Sequence, residues 1–163
     1  MKKSEIVSEP GKQELFITRE FDAPREVVFY AYTNAKYLKR WASPRDLAIR
    51  LELFEPITGG SWAYTHLDEK GREYHFRGVF HEVAFPDRIV QTLEYGGFPE
   101  KGHAVIETAI FEILPNERTK VTTHTIFQSN ADREGMLSAD MERGIQESHE
   151  RLDELLATDL VTG

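Results

Sequence analysis

The sequence predicts an α+β fold in which a curved antiparallel sheet of about six to seven strands wraps around one long C-terminal helix. Two observations support this prediction. Between residues 47 and 127, apolar and polar side chains alternate in short runs that are separated by turn residues, as in strands joined by hairpins. Near the C-terminus, apolar side chains recur along one helical stripe. Such a stripe must be covered, and the concave face of the sheet can cover it.

The segment before these strands predicts one more strand and two short helices. Residues 14–21 alternate as a strand does. Asp22 can accept an exposed backbone amide hydrogen at a helix start, and Pro24 suits the first turn, so a short helix follows. A second short helix is expected over residues 35–41, because Pro44 disfavours its continuation.

Six strands are predicted in the central part of the chain. Each separator between them is short and carries Gly, Pro, Asp or Asn, which is typical of hairpin turns and of an antiparallel meander. Gly78, in mid-strand, indicates either a bend or a close backbone approach, and we expect the bend. The predicted strands are 47–54, 60–67, 72–84, 88–95, 103–114 and 118–127.

The long helix is expected over residues 131–157. Ser129 and Asp132 have the spacing of a capping box. At about 1.5 Å per residue this helix would be roughly 40 Å long, enough to cross the sheet. Its apolar stripe consists of Leu137, Met141, Ile145, Leu152, Leu155 and Leu156. We therefore expect one domain over residues 13–158, with a flexible N-terminal tail over 1–12 and a C-terminal tail over 159–163.

Composition limits the class of partner. The formal net charge is −8, from 28 acidic and 20 basic side chains, which argues against nucleic acid and anionic membranes as partners. No run reaches the length of a transmembrane helix or of the apolar part of a signal peptide. The absence of cysteine suits a reducing compartment, so a cytoplasmic protein is expected. Its oligomeric state, monomer or homodimer, is left open.

Six stretches, spread over residues 14–157, match the pattern of a known family. The stretches are 21–29, Arg40-Trp41 with Pro44, 59–62, 76–83, 86–92 and 144–157. In this order they resemble the SRPBCC superfamily, and within it the homologues of the activator of the heat-shock protein ATPase. The resemblance implies the helix-grip fold of START domains and the birch-pollen allergen. That superfamily includes carriers, cyclases, oxygenase subunits and co-chaperones, so it indicates the fold more closely than the function.

This chain departs from the family pattern at two positions. Many relatives carry a tryptophan where this chain has Ala42, and often another where it has Ile145. Both differences remove aromatic bulk near the cavity that the resemblance implies.

Aromatic side chains on two neighbouring strands are the main candidates for a ligand site. Alternation places Trp62, Tyr64 and His66 on one face of their strand. Aromatic groups with polar tips can line an apolar pocket, although the same side chains could equally fill a core. With the residues expected to face them, the candidate ligand-binding residues are Trp62, Tyr64, His66, Tyr74, Phe76, Phe80, Glu107, Met141 and Ile145.

Glu107 is the most informative acidic residue. Both faces of its strand carry apolar residues, so alternation does not show whether Glu107 points inward or outward. If it faces inward it needs a partner, because burying an unpaired carboxylate costs several kcal/mol. The candidate partners are His66, His124, Arg50 and Arg77.

Motifs for metal, nucleotide or nucleophilic chemistry are absent from the sequence. His75 and His81 would stand roughly 20 Å apart on one strand, and no His-Glu-x-x-His motif occurs. Nor is there a Gly-x-Ser-x-Gly elbow or a P-loop. We therefore expect no metal, no cofactor and no identifiable catalytic residue.

Three functions remain as hypotheses. The first is binding of a hydrophobic or amphipathic small molecule, such as a lipid, between sheet and helix. The second is a co-chaperone or stress-response role through protein interaction, with a heat-shock ATPase as partner. The third is a cyclase or hydrolase that uses a His–Glu or Tyr–His pair in the same cavity, about 2.6–3.2 Å apart or bridged by one water.

Overall fold

Eight strands form one curved antiparallel sheet in the computed structural model, which describes residues 2–163. The strands are β1 (Glu5–Val7), β2 (Glu14–Phe21), β3 (Ala48–Phe54), β4 (Ser61–Leu67), β5 (Glu73–Ala84), β6 (Arg88–Tyr95), β7 (Val105–Leu114) and β8 (Arg118–Ile126). Four helices accompany them: α1 (Arg25–Thr33), α2 (Ala35–Trp41), α3 (Asn130–Leu137) and α4 (Met141–Leu156). None of these helices is long and apolar enough to cross a membrane.

The predicted fold class is confirmed, and the predicted strands and short helices agree with the structure to within two residues. The meander β3 to β8 follows the chain, and β2 then pairs with β8. The order across the sheet is β1-β2-β8-β7-β6-β5-β4-β3, so β1 and β3 are its two edges. The connections between consecutive strands account for the meander, because a short connection allows only an antiparallel neighbour.

The concave face of the sheet grips α4. Leu152, Leu155 and Leu156 of this helix are buried in the main core, together with inward side chains such as Phe111 and Val121. Arg19 of β2 is buried beside this helix, and its guanidinium donates two hydrogen bonds to Asp153 at 2.6 and 3.2 Å. A buried guanidinium needs such a partner, so this pair fixes α4 along the sheet.

The predicted single helix over residues 131–157 is wrong in one respect. The chain leaves the helix at Ser138 and begins a second one after Asp140, which adopts a left-handed conformation with φ 58°. The polar side chains at this break bond locally: the Ser138 hydroxyl donates to the Gly135 carbonyl, and Arg143 donates to the Asp140 carboxylate. Such residues compete with helical hydrogen bonding, and aspartate tolerates the left-handed region.

The segment predicted as a flexible tail over residues 1–12 contributes β1, which pairs with β2. The residues before β1 also contact α4. The Ser4 amide donates to Gln146 at 2.8 Å, and Gln146 donates to the Lys2 carbonyl at 3.1 Å. These are contacts between residues more than 140 positions apart, which alternation and turn patterns do not detect.

Two smaller expectations also change. Asp22 does not cap α1, whose first position is preceded by Pro24 without a side-chain cap; the carboxylate pairs instead with Lys2 and Arg118. In the segment predicted as a C-terminal tail, Val161 is buried, and the Leu160 carbonyl accepts a hydrogen bond from the Tyr37 hydroxyl at 2.8 Å. The chain end is thus packed against α2.

Candidate functional site

A cavity of about 850 Å³ lies between α3 and the inner face of the sheet. Strands β4, β5 and β6 form its wall, the loop 96–104 closes one side, and α3 covers it. Its apolar lining includes Leu47, Phe76, Leu93, Tyr95, Phe98, Pro99, Val105, Phe127, Ala131, Met136 and Ala139. Its polar lining includes Asp46, His66, Asp68, Arg72, Tyr74, Glu100, His103 and Asp132. This size and composition are those of small-molecule sites in proteins.

The aromatic wall is built by strand register. Tyr64 pairs with Phe76 and His66 with Tyr74 across β4 and β5, so these side chains share the inner face, as alternation predicted. Phe76 contacts the ring of His66 at 4.9 Å and that of Tyr95 at 5.3 Å, measured between ring centroids. The wall therefore presents a continuous aromatic surface, against which a flat or elongated apolar molecule can pack.

His66 is a largely buried polar group of the wall. Burial lowers its pKa to about 4, although a hydrogen bond to the Ala42 backbone opposes that change. The imidazole is therefore neutral at physiological pH. Its Nε2 atom is buried and has no hydrogen-bond partner among the described residues. A neutral imidazole carries one donor and one acceptor nitrogen.

Charged groups are gathered at the rim of the cavity. The Tyr74 hydroxyl donates to Asp68 at 3.2 Å, and Arg72 donates to the same carboxylate at 2.5 Å. On the opposite side, His103 joins the loop to α3: its Nδ1 lies 2.9 Å from Asp132, and its Nε2 lies 2.9 Å from Glu100. Asp132, and to a lesser extent Glu100, raises the pKa of His103.

Glu107 points to the inner face of β7, between the buried Val105 and Ala109. None of the four expected basic partners reaches it. Instead Gln91, its register neighbour on β6, donates to its carboxylate at 3.4 Å. Burial raises the pKa of Glu107, and hydrogen bonds from Gln91 and Thr125 offset part of the increase. Glu107 does not line the 850 Å³ cavity.

Of the nine predicted ligand-binding residues, three line this cavity: His66, Tyr74 and Phe76. Trp62 and Phe80 are buried in the main core, and Tyr64 packs between Trp62 and His66. The remaining three, Glu107, Met141 and Ile145, do not line it.

Sequence reasoning missed the residues that α3 and the loop 96–104 supply. Gly135 and Met136 reach the cavity because the helix breaks after residue 137. Phe98 and Pro99 do so from a segment predicted as a turn. A large aromatic residue at a turn was the available signal, since turns are usually polar. Ala42, one of the two departures from the family pattern, does not line the cavity either.

Tyr64, His66 and Glu107 form neither of the predicted catalytic pairs, and the His–Glu contact in the cavity lining is that of His103 with Glu100, at 2.9 Å and at the exposed rim. The rings of Tyr64 and His66 stack, with centroids 5.1 Å apart, and the Glu107 carboxylate bonds to Gln91. A serine–histidine pair does occur: the Ser4 hydroxyl lies 2.6 Å from Nδ1 of His149. Ser4 is buried, however, and burial lowers the pKa of His149 to about 3, so the imidazole is a weak base there.

No group of three potential metal ligands occurs among residues 2–163.

Comparison with known proteins identifies the relatives of this chain. The sequence profile of the family described as "Activator of Hsp90 ATPase homolog 1-like protein" matches residues 22–157. No curated protein matches the chain at a significant level.

Solved structures agree with the fold. A crystal structure of a protein from Rhodobacter sphaeroides has 22% identity and a TM-score of 0.84, covering 94% of this chain and 99% of that one. A solution structure from Arthrobacter aurescens has 23% identity and a TM-score of 0.85, covering 96% and 92%. One from Staphylococcus epidermidis has 23% identity and a TM-score of 0.80, covering 95% and 96%. At these identities the likeness concerns the fold.

Proposed function

The chain belongs to the family of Activator of Hsp90 ATPase homolog 1-like proteins, and we propose that it binds a hydrophobic or amphipathic small molecule in the cavity under α3. The observation that carries this proposal is the 850 Å³ cavity with its aromatic wall. Burial of apolar ligand surface, at about 25 cal/mol per Å², would supply most of the affinity.

The polar groups of the cavity support an amphipathic ligand. His66 offers a neutral imidazole in the wall, whereas the charged side chains are confined to the rim. A molecule with one apolar end and one polar end would leave its polar end near water and its apolar end against Phe76 and Tyr95. Binding is placed before catalysis because Glu107, His66 and Tyr64 form no acid–base pair with one another, and the His–Glu contact of the lining, His103 with Glu100, lies at the exposed rim.

Gly135 provides a direct test of this proposal. It lies on α3 in the cavity lining, and a Cβ atom placed there would meet no atom within 4 Å. The Gly135→Phe variant should therefore place a ring in the cavity mouth and weaken binding about tenfold, which corresponds to roughly 1.4 kcal/mol. The Gly135→Ala variant is the matched control and should bind as the wild type does. Fluorescence titration with Nile red, an uncharged probe, measures the dissociation constants.

Two results would contradict the proposal: no saturable Nile red signal with the wild type, or equal affinity of the Gly135→Phe variant and the wild type. Native mass spectrometry of the purified protein would give independent evidence, as a retained ligand adds to the mass of the folded chain.

A second candidate function, binding to a heat-shock ATPase, is favoured by one surface. Ile106 of β7 and Ile126 of β8 are register partners on the outer face of the sheet, and they remain 47% and 45% exposed. Ile110 and Phe16 extend this exposed apolar patch. Patches of this kind often mark protein contacts. If the patch docks the ATPase, the Ile106→Glu variant should lose the complex in a pull-down; binding that persists in this variant would exclude that surface.

A further inference from the structure

The rim of the cavity under α3 carries an unbalanced set of charges. Four carboxylates line it: Asp46, Asp68, Glu100 and Asp132. Among the described residues 2–163, Arg72 is the one arginine that lines the cavity, and no lysine lines it. His103 is the single lining group whose charge depends on pH near neutrality. The rim is therefore net negative whether His103 is protonated or not.

The positive groups of the rim are also already engaged. The Arg72 guanidinium donates to Asp68 at 2.5 Å. Both ring nitrogens of His103 face carboxylates, at 2.9 Å from Asp132 and from Glu100. A carboxylate or phosphate group on a ligand would thus meet no free cation there, and it would be repelled by the neighbouring acids.

Two of the rim carboxylates remain accessible to a ligand. The Glu100 side chain is 82% exposed, and that of Asp46 is 57% exposed, with Arg143 at 3.7 Å as its nearest cation. An acidic rim above apolar walls concentrates positive charge, because the low-dielectric walls focus the field. Below it, the faces of Phe76, Tyr95 and Phe98 can attract a cation through their π-electrons.

We propose that the cavity selects organic cations: molecules with an aromatic or aliphatic body that packs against Phe76 and Tyr95, and an amine or quaternary ammonium group held at the rim by Asp46 and Glu100. This inference rests on the proposed function, because it assigns the ligand class of the same cavity. Fatty acids, phospholipids and other anionic amphiphiles are the disfavoured ligands.

Three probes with one body but different charge test this assignment: naphthylmethylammonium, naphthylmethanol and naphthoate. Their dissociation constants are measured by calorimetry at low salt and near-neutral pH, and amide shifts in NMR spectra locate them. The expected order of affinity is ammonium, then alcohol, then carboxylate, with about tenfold or more between the first and the last. The difference should shrink at about 1 M salt, where charges are screened beyond about 3 Å.

A double variant, Asp46→Asn with Glu100→Gln, removes the two accessible charges of the rim. It should lower the affinity for the ammonium probe several-fold and leave that for the alcohol unchanged. The control is Glu26→Gln with Glu112→Gln, which removes two exposed charges on α1 and on the outer face of β7. Because both variants have the same net charge, the control separates the rim from the overall charge of the chain.

The possible outcomes are distinct. Equal affinities for the three probes, or tightest binding of naphthoate, would overturn the selectivity and leave the binding function in place. An ammonium preference that survives in the rim variant would overturn the role of Asp46 and Glu100. If no probe shifts the resonances of the lining residues, both this inference and the proposed function fail.

Discussion

Gly78 illustrates how closely single residues are fitted in this sheet. It lies opposite Trp62 in the register between β5 and β4, and the tryptophan ring packs directly over it. A Cβ atom at this position would stand 2.7 Å from the Trp62 ring and 1.9 Å from the Thr92 carbonyl oxygen. This glycine is therefore required by the close approach of the Trp62 ring and the Thr92 carbonyl, and not by the expected bend.

Substituting Gly78 should consequently destabilise the protein. The Gly78→Ala variant is expected to lose about 2 kcal/mol or more of the free energy of unfolding, since overpacking a filled interior costs that much. The Gly135→Ala variant is the control: its added methyl group meets open space on a helix, so a gain of up to about 1 kcal/mol is expected. Equilibrium urea unfolding compares the two, and an unchanged stability of Gly78→Ala would refute this packing argument.

For single residues, the sequence predicted which face of its strand a side chain lies on, but not how deeply that side chain is buried. Alternation correctly placed Trp62, Tyr64 and His66 on one face of β4. It could not show that His66 reaches the cavity while Trp62 is buried in the core, because that depends on what packs above each side chain. For Glu107 it left both orientations open, and the register with Gln91 and Thr125 resolves them.

At the scale of elements, the break between α3 and α4 creates the site. Met141 and Ile145 were predicted to line the cavity on the assumption of one continuous helix. The left-handed Asp140 separates α3 from α4, and residues of α3 line the cavity instead. The apolar spacing continues across the break, from Leu137 to Met141, so periodicity alone gave no sign of it.

The loop 96–104 is the other element that the sequence described incompletely. Its Gly-Gly-Phe-Pro start was correctly taken as a separator between strands. Its role in the site comes from tertiary contacts: the Gly102 amide donates to Glu94 at 2.6 Å, and His103 joins the loop to Asp132 on α3. The loop is thus held to β6 and to α3 by hydrogen bonds.

For the whole molecule, two buried histidines determine how stability responds to mild acid. Burial lowers the pKa of His66 to about 4 and that of His149 to about 3, below the ordinary value of 6.5. The unfolded chain therefore binds protons that the folded chain does not, and stability falls as the pH decreases below about 6.5. Above that value both histidines are neutral in either state, and their contribution is fully present.

The most informative window lies between about pH 6.5 and pH 5, because carboxylates with ordinary or lowered pKa values stay ionised there in both states. Glu107, whose pKa is raised by burial, is present in every variant compared, so its contribution cancels. Each histidine should add up to about 1.4 kcal/mol per pH unit to the slope of the unfolding free energy. The His149→Gln variant should lack the part of this slope that His149 contributes. The control variant His81→Gln, which changes an exposed histidine of β5, should have the same slope as the wild type. Urea unfolding at several pH values measures the slopes; equal slopes for wild type and His149→Gln would contradict the argument. His103, whose pKa is raised, contributes a slope of opposite sign near pH 6.5 and above, and this contribution cancels in the comparison because every variant retains His103.

The sequence by itself determined the fold class, seven of the eight strands, the two short helices and the family. These follow from local rules: side chains alternate along strands, short turns join only antiparallel neighbours, and an apolar stripe must be buried. The tertiary structure alone decided where the cavity lies, which side chains line it, and that its rim is acidic. Those properties arise where β4, β5, β6, the loop 96–104 and α3 meet. The physical reason is that packing and register bring together residues far apart in the chain, which local periodicity cannot detect.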